Sequence, residues 1–292
     1  MVDLHLHSTA SDGAFPPAGV VSRASRAGLT AIALTDHDSI SGIPEAYAAG
    51  TPAGVRIISG CEFSVRGPGG ELHLLGYFLP LDVPELNTFL ERCRRLRVDR
   101  AREMVTRLRS AGLAITLEQI QAVAGRGAIG RPHVARALLA AGLVRSVNHA
   151  FDRYIGWQRP AFVPKELPEF AAVASLVHRI GGIVSAAHLK ARGTREILQQ
   201  LLDEGLDAVE IRHPSHDHDA RARLSSLADE LGLLKTGGSD WHGDEGLTGT
   251  HGALGGQEVP AAWLDAMAAR VAGGVTRPAP TGGLSSGEPR DG

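Results

Sequence analysis

Short apolar segments that end in a histidine or an acidic residue recur along this chain, and they constrain its fold more than any other feature. Residues 29–35 are followed by Asp36, His37 and Asp38, and residues 183–187 are followed by His188. Each segment has the length and continuous apolar character of a strand buried on both faces, and helix-like segments separate them. Alternating strands and helices predict an α/β fold with a parallel sheet or barrel, in which ligands bind at the carboxyl ends of the strands.

Residues 2–7 predict the first strand. Apolar and polar residues alternate, so Asp3, His5 and His7 share one face of a half-buried strand. At a rise of about 3.3 Å per residue the Cβ atoms of His5 and His7 lie about 7 Å apart, so both rings can bind one metal ion. Asp3 is then expected to hold these rings in orientation without binding the metal itself. The alternative is a strand that carries two structural histidines.

Composition restricts the class of protein. The 292 residues fit one large α/β domain or a domain with an insertion, and the net charge of −2 argues against bulk attraction to nucleic acid or membrane. Cys61 and Cys93 do not resemble a disulfide framework, which favours a reducing compartment. No apolar segment approaches the roughly 18 residues of a membrane span. We therefore expect a soluble cytoplasmic protein.

Further ligand-type side chains lie near predicted strand ends. Asp12 is in the loop after the first strand, where an Asx turn is the alternative role, and Glu62 follows a strand over residues 55–59. His73 lies inside a strand-like segment. The candidate ligands are His5, His7, Asp12, His37, Glu62, His73, His188, Asp240 and His242. At about three to five protein ligands per ion, this set is sufficient for two or three divalent ions, and mixed imidazole and carboxylate ligands suit manganese, zinc or iron.

Residues 82–162 have helical periodicity, and we predict that they form an inserted helical subdomain within a barrel made of residues 1–81 and 163–275. The first helix of this insert is rich in arginine. Its arginines are Arg92, Arg94, Arg95, Arg97, Arg100, Arg102, Arg107 and Arg109. They predict either a solvated face with ion pairs one turn apart or a surface that attracts a phosphate-rich substrate. Residues 276–292 are rich in Pro, Gly and Ser and predict a disordered tail.

The insert also contains a candidate anion site. Arg131 and His133 lie at a predicted helix start, where Pro132 fits the first helical position and backbone N–H groups are free. Arg159 and Lys165 lie where the chain returns to the barrel, and they are further candidates for binding a substrate phosphate.

As an ordered set, these motifs resemble the polymerase and histidinol phosphatase (PHP) family. Within that family the insert, residues 130–133, 160–165 and 210–216 are most similar to nucleoside 3',5'-bisphosphate phosphatases and 5'-to-3' oligoribonucleotide exonucleases. One position departs from the family pattern, since Leu189 stands where proline commonly follows the histidine. The matching pieces are Asp3-Leu4-His5-Leu6-His7, Ser11-Asp12-Gly13, Thr35-Asp36-His37-Asp38, Gly60-Cys61-Glu62, Leu72-His73-Leu74-Leu75-Gly76, Ala187-His188 and Gly238-Ser239-Asp240-Trp241-His242.

The resemblance implies a distorted (β/α)₇ barrel that binds up to three metal ions, with manganese as the first candidate and zinc or iron as alternatives. It also implies that Arg131 and His133 hold the substrate phosphate. Carried over position by position, the ligand sets are His5, His7, Glu62 and Asp240 for one ion, Glu62, His73 and His188 for a second, and Asp12, His37 and His242 for a third.

The resulting hypothesis is metal-assisted hydrolysis of a phosphate ester. The expected substrates are nucleoside 3',5'-bisphosphates, such as adenosine 3',5'-bisphosphate, and short 5'-phosphorylated oligoribonucleotides. Arg131 and Asp240 are assigned to the catalytic set, and the proton for the leaving group comes from His133 or from a water on a metal, which the sequence leaves open. The alternatives are a histidinol-phosphate phosphatase, a metal-stabilised interaction module without turnover, and nucleic-acid binding through the arginine-rich helix. Neither a membrane nor an obligate protein partner is expected.

Overall fold

Seven strands form one sheet in which neighbours along the chain are neighbours in space. The computed structural model describes residues 1–243 and 252–274. After the last strand, the chain returns to the first, where the His7 N–H donates to the Trp241 carbonyl at 3.0 Å and Leu6 bridges Trp241. The sheet is therefore a nearly closed barrel, as predicted. The strands are β1 (Val2–Leu6), β2 (Ala31–Leu34), β3 (Arg56–Gly67), β4 (Gly70–Tyr77), β5 (Ile183–Ala186), β6 (Ala208–Arg212) and β7 (Leu234–Gly237).

Helices connect the strands and begin and end where the sequence indicates. A proline lies at the start of α1, α2, α3 and α5, where its missing N–H costs nothing, and left-handed Gly54 and Gly232 follow α2 and α9. The helices are α1 (Pro17–Arg26), α2 (Ile43–Ala53), α3 (Pro84–Ser110), α4 (Leu117–Ala124), α5 (Arg131–Ala140), α6 (Val147–Ala150), α7 (Phe170–Arg179), α8 (Arg195–Asp203), α9 (His218–Leu231) and α10 (Ala261–Ala272). A π-helical turn, Phe151–Ile155, follows α6, and a 3₁₀ turn, Lys190–Arg192, precedes α8.

The β3–β4 hairpin departs from the predicted strand pattern. β3 runs well beyond residue 59 because β4 pairs with it antiparallel, from Gly60 opposite Tyr77 to Gly67 opposite Gly70. Glu62 therefore lies inside β3 rather than after its end. β4 is also antiparallel to β5, whereas the other strand pairs are parallel. The first half of β4, which contains His73, consequently reaches the edge where the parallel strands have their carboxyl ends.

β1 is buried on both faces, so the prediction of a half-buried strand was wrong. Asp3 and His5 are fully buried, as is His7 directly after the strand. The polar residues of β1 are therefore enclosed within the barrel instead of facing solvent. Such burial requires a partner for each imidazole and carboxylate.

The insert has a hydrophobic cluster of its own, whose buried members all lie within residues 101–163. This separate core supports the predicted helical subdomain, whose bounds stay a prediction. The returning chain attaches to the barrel where the Arg66 N–H donates to the Pro168 carbonyl at 2.8 Å. Within the described ranges, no helix is long and apolar enough to cross a membrane. The predicted tail, residues 276–292, lies outside the described residues.

Candidate metal centre and anion site

One cavity of about 750 Å³ opens at the carboxyl end of the barrel. Seven of the nine predicted ligands line it, and the other two, His5 and His7, are buried beside them. The seven are Asp12, His37, Glu62, His73, His188, Asp240 and His242. Side chains that are scattered over about 240 positions of the sequence therefore meet at one place.

The first cluster consists of His5, His7, Glu62 and Asp240. His5 Nε2 lies 3.4 Å from Glu62 Oε2 and 3.4 Å from Asp240 Oδ1, and both distances are 3.2 Å for His7 Nε2. Ligand atoms about 2.1 Å from one ion lie about 3.0 to 3.4 Å from each other in octahedral or tetrahedral geometry. The spacing in this cluster therefore fits a single divalent ion.

Gly238 brings the end of β7 close enough to complete this cluster. A Cβ atom at Gly238 would lie 2.4 Å from the backbone N and the Cβ of His5, so a larger residue does not fit. Two residues further on, Asp240 reaches the ligand nitrogens of β1. The close packing of Gly238 against His5 therefore explains why Asp240, which follows the last strand, meets the histidines of the first.

Several polar atoms in the clusters are buried without a hydrogen-bond partner among the described residues. They are His5 Nε2, His7 Nε2, Asp12 Oδ1, His37 Nδ1 and Glu62 Oε2. A buried polar atom without a partner costs about 1–3 kcal/mol, and five of them in one place would be a large penalty. Bound cations would satisfy these lone pairs together, so the residues fit the metal ions that the fold implies.

Two more clusters lie beside the first, one sharing Glu62 with it and one built on Asp12. Glu62 Oε1 lies 2.7 Å from His73 Nδ1 and 3.1 Å from His188 Nε2. Asp12 Oδ1 lies 3.3 Å from His242 Nε2 and 3.9 Å from His37 Nε2. His37 Nδ1 is also 3.0 Å from Glu62 Oε2, so His37 lies between the second and third clusters. The ligand atoms of the first and third predicted sets thus come together. In place of the second set, the ligand atoms of His37, Glu62 and His73 come together, while His188 contacts Glu62. The assignment of each ligand to one ion stays a proposal.

The electrostatics of the clusters favour cations. Burial would raise the pKa of Glu62, but the imidazoles of His37, His73 and His5 hold it well below its usual range. Burial would lower the pKa of His7, but Asp240 and Glu62 raise it to about 10. The same negative charge that holds a proton on His7 would hold a divalent ion, with release of that proton.

Glu210, in β6, is a site residue that sequence reasoning did not assign. Its Oε1 lies 3.0 Å from His5 Nδ1, and its Oε2 accepts the backbone N–H of His188 at 2.7 Å. This is the orienting role expected of Asp3, which instead accepts the backbone N–H groups of Ser239 and Gly255, both at 2.9 Å. The signal in the sequence was an acid inside the apolar strand β6. His213, buried and 3.4 Å from Asp240 through Nε2, was missed in the same way.

Backbone strain is concentrated at this site. Asp38, His188 and Asp240 have φ values of 46°, 33° and 52°, a left-handed conformation that non-glycine residues rarely adopt. Strain of this kind costs about 1–3 kcal/mol per residue and clusters at functional sites. At His188 the hydrogen bond from its N–H to Glu210 offsets part of this cost.

Basic side chains from the insert and the following loops line the same cavity. They are Arg97, Arg100, Arg131, Arg136, Lys165, Lys190 and Arg192. Lys165 donates to Glu71 Oε1 at 2.6 Å and to Ser64 Oγ at 2.9 Å, which fixes its ammonium group on the β3–β4 hairpin. The cavity therefore presents cation-binding clusters and a cationic wall to a single ligand.

The arginines of helix α3 divide between the cavity and the solvent-exposed surface. Arg97 and Arg100 reach the cavity, while the other six arginines are exposed. Two of the exposed ones pair with acids one turn away, Arg102 with Asp99 and Arg107 with Glu103. Most of this helix is a solvated face, and only two positions contribute charge to the site.

His133 and Arg159 are predicted phosphate ligands that the structure does not bring to the cavity. The buried His133 ring accepts the backbone N–H of Gly130 at 3.0 Å, and burial lowers its pKa to about 4. Its helix, α5, begins at Arg131 rather than at Pro132. Arg159 is exposed and lies outside the cavity lining.

Replacing Glu210 with glutamine is expected to weaken metal affinity or activity by about 10- to 100-fold, because glutamine cannot hold His5 and the His188 backbone as strongly. Metal titration of the stripped protein measures this. Glu91→Gln, an exposed change on α3, is the matched control. Affinity and activity equal to the control would show that Glu210 does not orient the ligands.

Comparisons with known proteins agree with this geometry. The family model described as PHP domain matches residues 3–223. The chain is 34% identical over 245 residues to a 5'-3' exoribonuclease of Haemophilus influenzae, covering 82% of this chain and 89% of the relative. It is 30% identical over 247 residues to a 3',5'-nucleoside bisphosphate phosphatase of Chromobacterium violaceum, covering 82% and 87%.

A solved structure shows the same fold. A Bifidobacterium adolescentis protein described as a metal-dependent phosphoesterase superposes with a TM-score of 0.84 at 30% identity. The match covers 92% of this chain and 96% of the other. The barrel and the insert are thus compared over nearly their whole length.

Proposed function

Because the chain belongs to the PHP domain family and is a metal-dependent phosphoesterase, we propose that it removes the 3'-phosphate from nucleoside 3',5'-bisphosphates. Short 5'-phosphorylated oligoribonucleotides are proposed as further substrates. One observation carries the proposal: cation-binding clusters and basic side chains line the same cavity of about 750 Å³. A substrate with two separate phosphates matches these two regions.

The proposed metal complement is two or three divalent ions, with manganese as the first candidate. The proposed ligands are the nine side chains of the three clusters. Buried atoms without a hydrogen-bond partner on His5, His7, Asp12, His37 and Glu62 support this assignment. When bound, such ions polarise phosphate oxygens and lower the pKa of a coordinated water. The protein contributes the fixed geometry, since Glu62 and Asp12 each contact histidines of more than one strand or loop.

The second phosphate is proposed to lie against Arg131 and Lys165. A guanidinium can donate two parallel hydrogen bonds to a phosphate, and Lys165 is already fixed by Glu71 and Ser64. His133 is proposed to position Arg131 by closing the start of α5, rather than to contact the phosphate itself. Holding one phosphate among these cations places the other at the metal clusters and orients the ester for attack.

The test is a steady-state assay of phosphate release from adenosine 3',5'-bisphosphate by metal-stripped protein supplied with Mn²⁺. We expect turnover that depends on the metal and disappears in His5→Ala. Histidinol phosphate, assayed in parallel, is expected to be a poorer substrate. Release no faster than with His5→Ala would reject the proposal, and preference for histidinol phosphate would favour that alternative.

Arg131→Ala is expected to raise KM for the bisphosphate by about 10- to 100-fold, because a charge-assisted pair with phosphate is lost. Arg159→Ala is the matched comparison, since Arg159 is an exposed arginine of the same insert and lies outside the cavity. Initial-rate measurements over a range of substrate concentrations separate KM from kcat. Equal effects of the two changes would assign the phosphate to the insert surface instead of the cavity wall.

A further inference from the structure

Trp157 is the most exposed large hydrophobic side chain among the described residues, with 71% of its surface accessible. It follows the π-helical turn after α6 in the insert. A single exposed apolar residue needs no explanation, so the contacts of Trp157 with its neighbours decide whether it belongs to a larger surface.

Trp157 is connected to the cavity by a series of ring contacts. Its ring centroid lies 5.0 Å from that of Phe162, edge to face. The guanidinium of Arg131 lies 5.8 Å from the Phe162 ring and 5.7 Å from the Phe151 ring. Arg131 and Phe151 line the cavity. The aromatic strip formed by Phe151, Phe162 and Trp157 therefore runs from the cavity to the surface of the insert.

The backbone around Trp157 is held in place, so its exposure is a property of the fold. The Ala161 N–H donates to the Tyr154 carbonyl at 2.8 Å, and Arg107 of α3 donates to the Phe162 carbonyl at 2.6 Å. Gln158, directly after the tryptophan, has φ of 58°, a strained turn that these contacts maintain. The chain thus presents an apolar ring to solvent from a fixed position.

We propose that the outer end of the aromatic strip, Trp157 with Phe162, stacks a base of an oligoribonucleotide that extends out of the cavity. This inference rests on the proposed function and assigns a binding surface to its oligoribonucleotide substrates. Alternating aromatic and cationic side chains along a path are the pattern by which proteins hold single-stranded nucleic acid. Trp157 is not among the residues that line the cavity, so a mononucleotide held in the cavity is not expected to contact it, whereas a longer oligonucleotide is.

The test measures binding of a 5'-phosphorylated ribonucleotide pentamer to metal-free protein by fluorescence anisotropy. Trp157→Ala is expected to weaken binding by about tenfold or more, and Trp157→Phe, which keeps a ring, by less than about threefold. Tyr47→Ala is the matched control, since Tyr47 is an exposed aromatic residue of α2 that lies outside the cavity lining. Quenching of intrinsic tryptophan fluorescence by the pentamer should be smaller in Trp157→Phe than in the wild-type protein.

Several outcomes would overturn this inference. Pentamer binding by Trp157→Ala equal to that of the control excludes the stacking site. If Trp157→Ala raises KM for adenosine 3',5'-bisphosphate by the same factor as it weakens pentamer binding, the ring acts inside the cavity. Loss of a dimer in sedimentation without a change in pentamer affinity assigns the ring to self-association. Failure of the proposed function is distinguishable, because it abolishes phosphate release in the wild-type protein while pentamer binding still depends on Trp157.

Discussion

Replacing Glu62 with glutamine is expected to lower kcat/KM by about 10³-fold or more and to reduce the amount of bound metal. Mutating a residue that orients a metal ligand lowers metal affinity or activity by about 10- to 100-fold. Glu62 is itself a candidate ligand of two clusters, so we expect a larger loss. Oε2 lies within 3.4 Å of His5 and His7, and Oε1 within 3.1 Å of His73 and His188. Glutamine keeps the shape but removes the charge that both clusters share.

Metal analysis after dialysis, together with the phosphate-release assay, measures both effects. Circular dichroism of the variant shows whether it is folded, since Glu62 is buried. Glu91→Gln is again the control for a neutralised glutamate on the surface. A folded Glu62→Gln protein with wild-type metal content and activity within tenfold of wild type would contradict the proposed metal centre.

Replacing Arg97 with methionine is expected to lower the free energy of unfolding by about 3–5 kcal/mol, because it leaves the Asp38 carboxylate buried without its charged partner. Arg97 Nε and Nη2 lie 2.7 and 2.6 Å from Asp38 Oδ2, and both side chains are less than a tenth exposed. Arg97 belongs to α3 of the insert, and Asp38 follows His37 at the metal clusters. The pair therefore joins the insert to the site as well as stabilising the fold.

Urea unfolding of Arg97→Met, with Arg95→Met as the exposed control on the same helix, measures the loss. The double variant Asp38→Asn, Arg97→Met is expected to be more stable than Arg97→Met alone, since asparagine tolerates the left-handed backbone and leaves no unpaired charge. A loss below about 0.5 kcal/mol in Arg97→Met would show that solvent already screens the pair.

The strands and the ligand types could be predicted because both are local properties of the chain. Apolar segments such as residues 29–35 and 183–187 have a strand's length, and the histidines and acids follow directly after them. Parallel strands then place those residues at one edge whatever the details of packing. The resemblance of the motifs to the PHP family is confirmed by the family match over residues 3–223.

Partners that depend on contacts across the fold could not be predicted in this way. Glu210, and not Asp3, contacts the His5 ring because of how β6 faces β1 across the barrel. The residue pattern of neither strand contains that information. His133 looked like an anion ligand from its place at a helix start, yet its ring turns back to the Gly130 N–H. Arg97 and Arg102 belong to one arginine-rich pattern, but only the former meets a buried acid.

Residue type and spacing were enough to predict that strands alternate with helices and that histidines and acids gather at one end of a barrel, because these local properties control strand formation and metal affinity. The antiparallel direction of β4, the position of Glu62 within the β3–β4 hairpin and the residues that orient the ligands became visible only in the folded chain. These features arise from pairing and packing between segments far apart in the chain. Their energies depend on distances and angles that exist only after the barrel has closed.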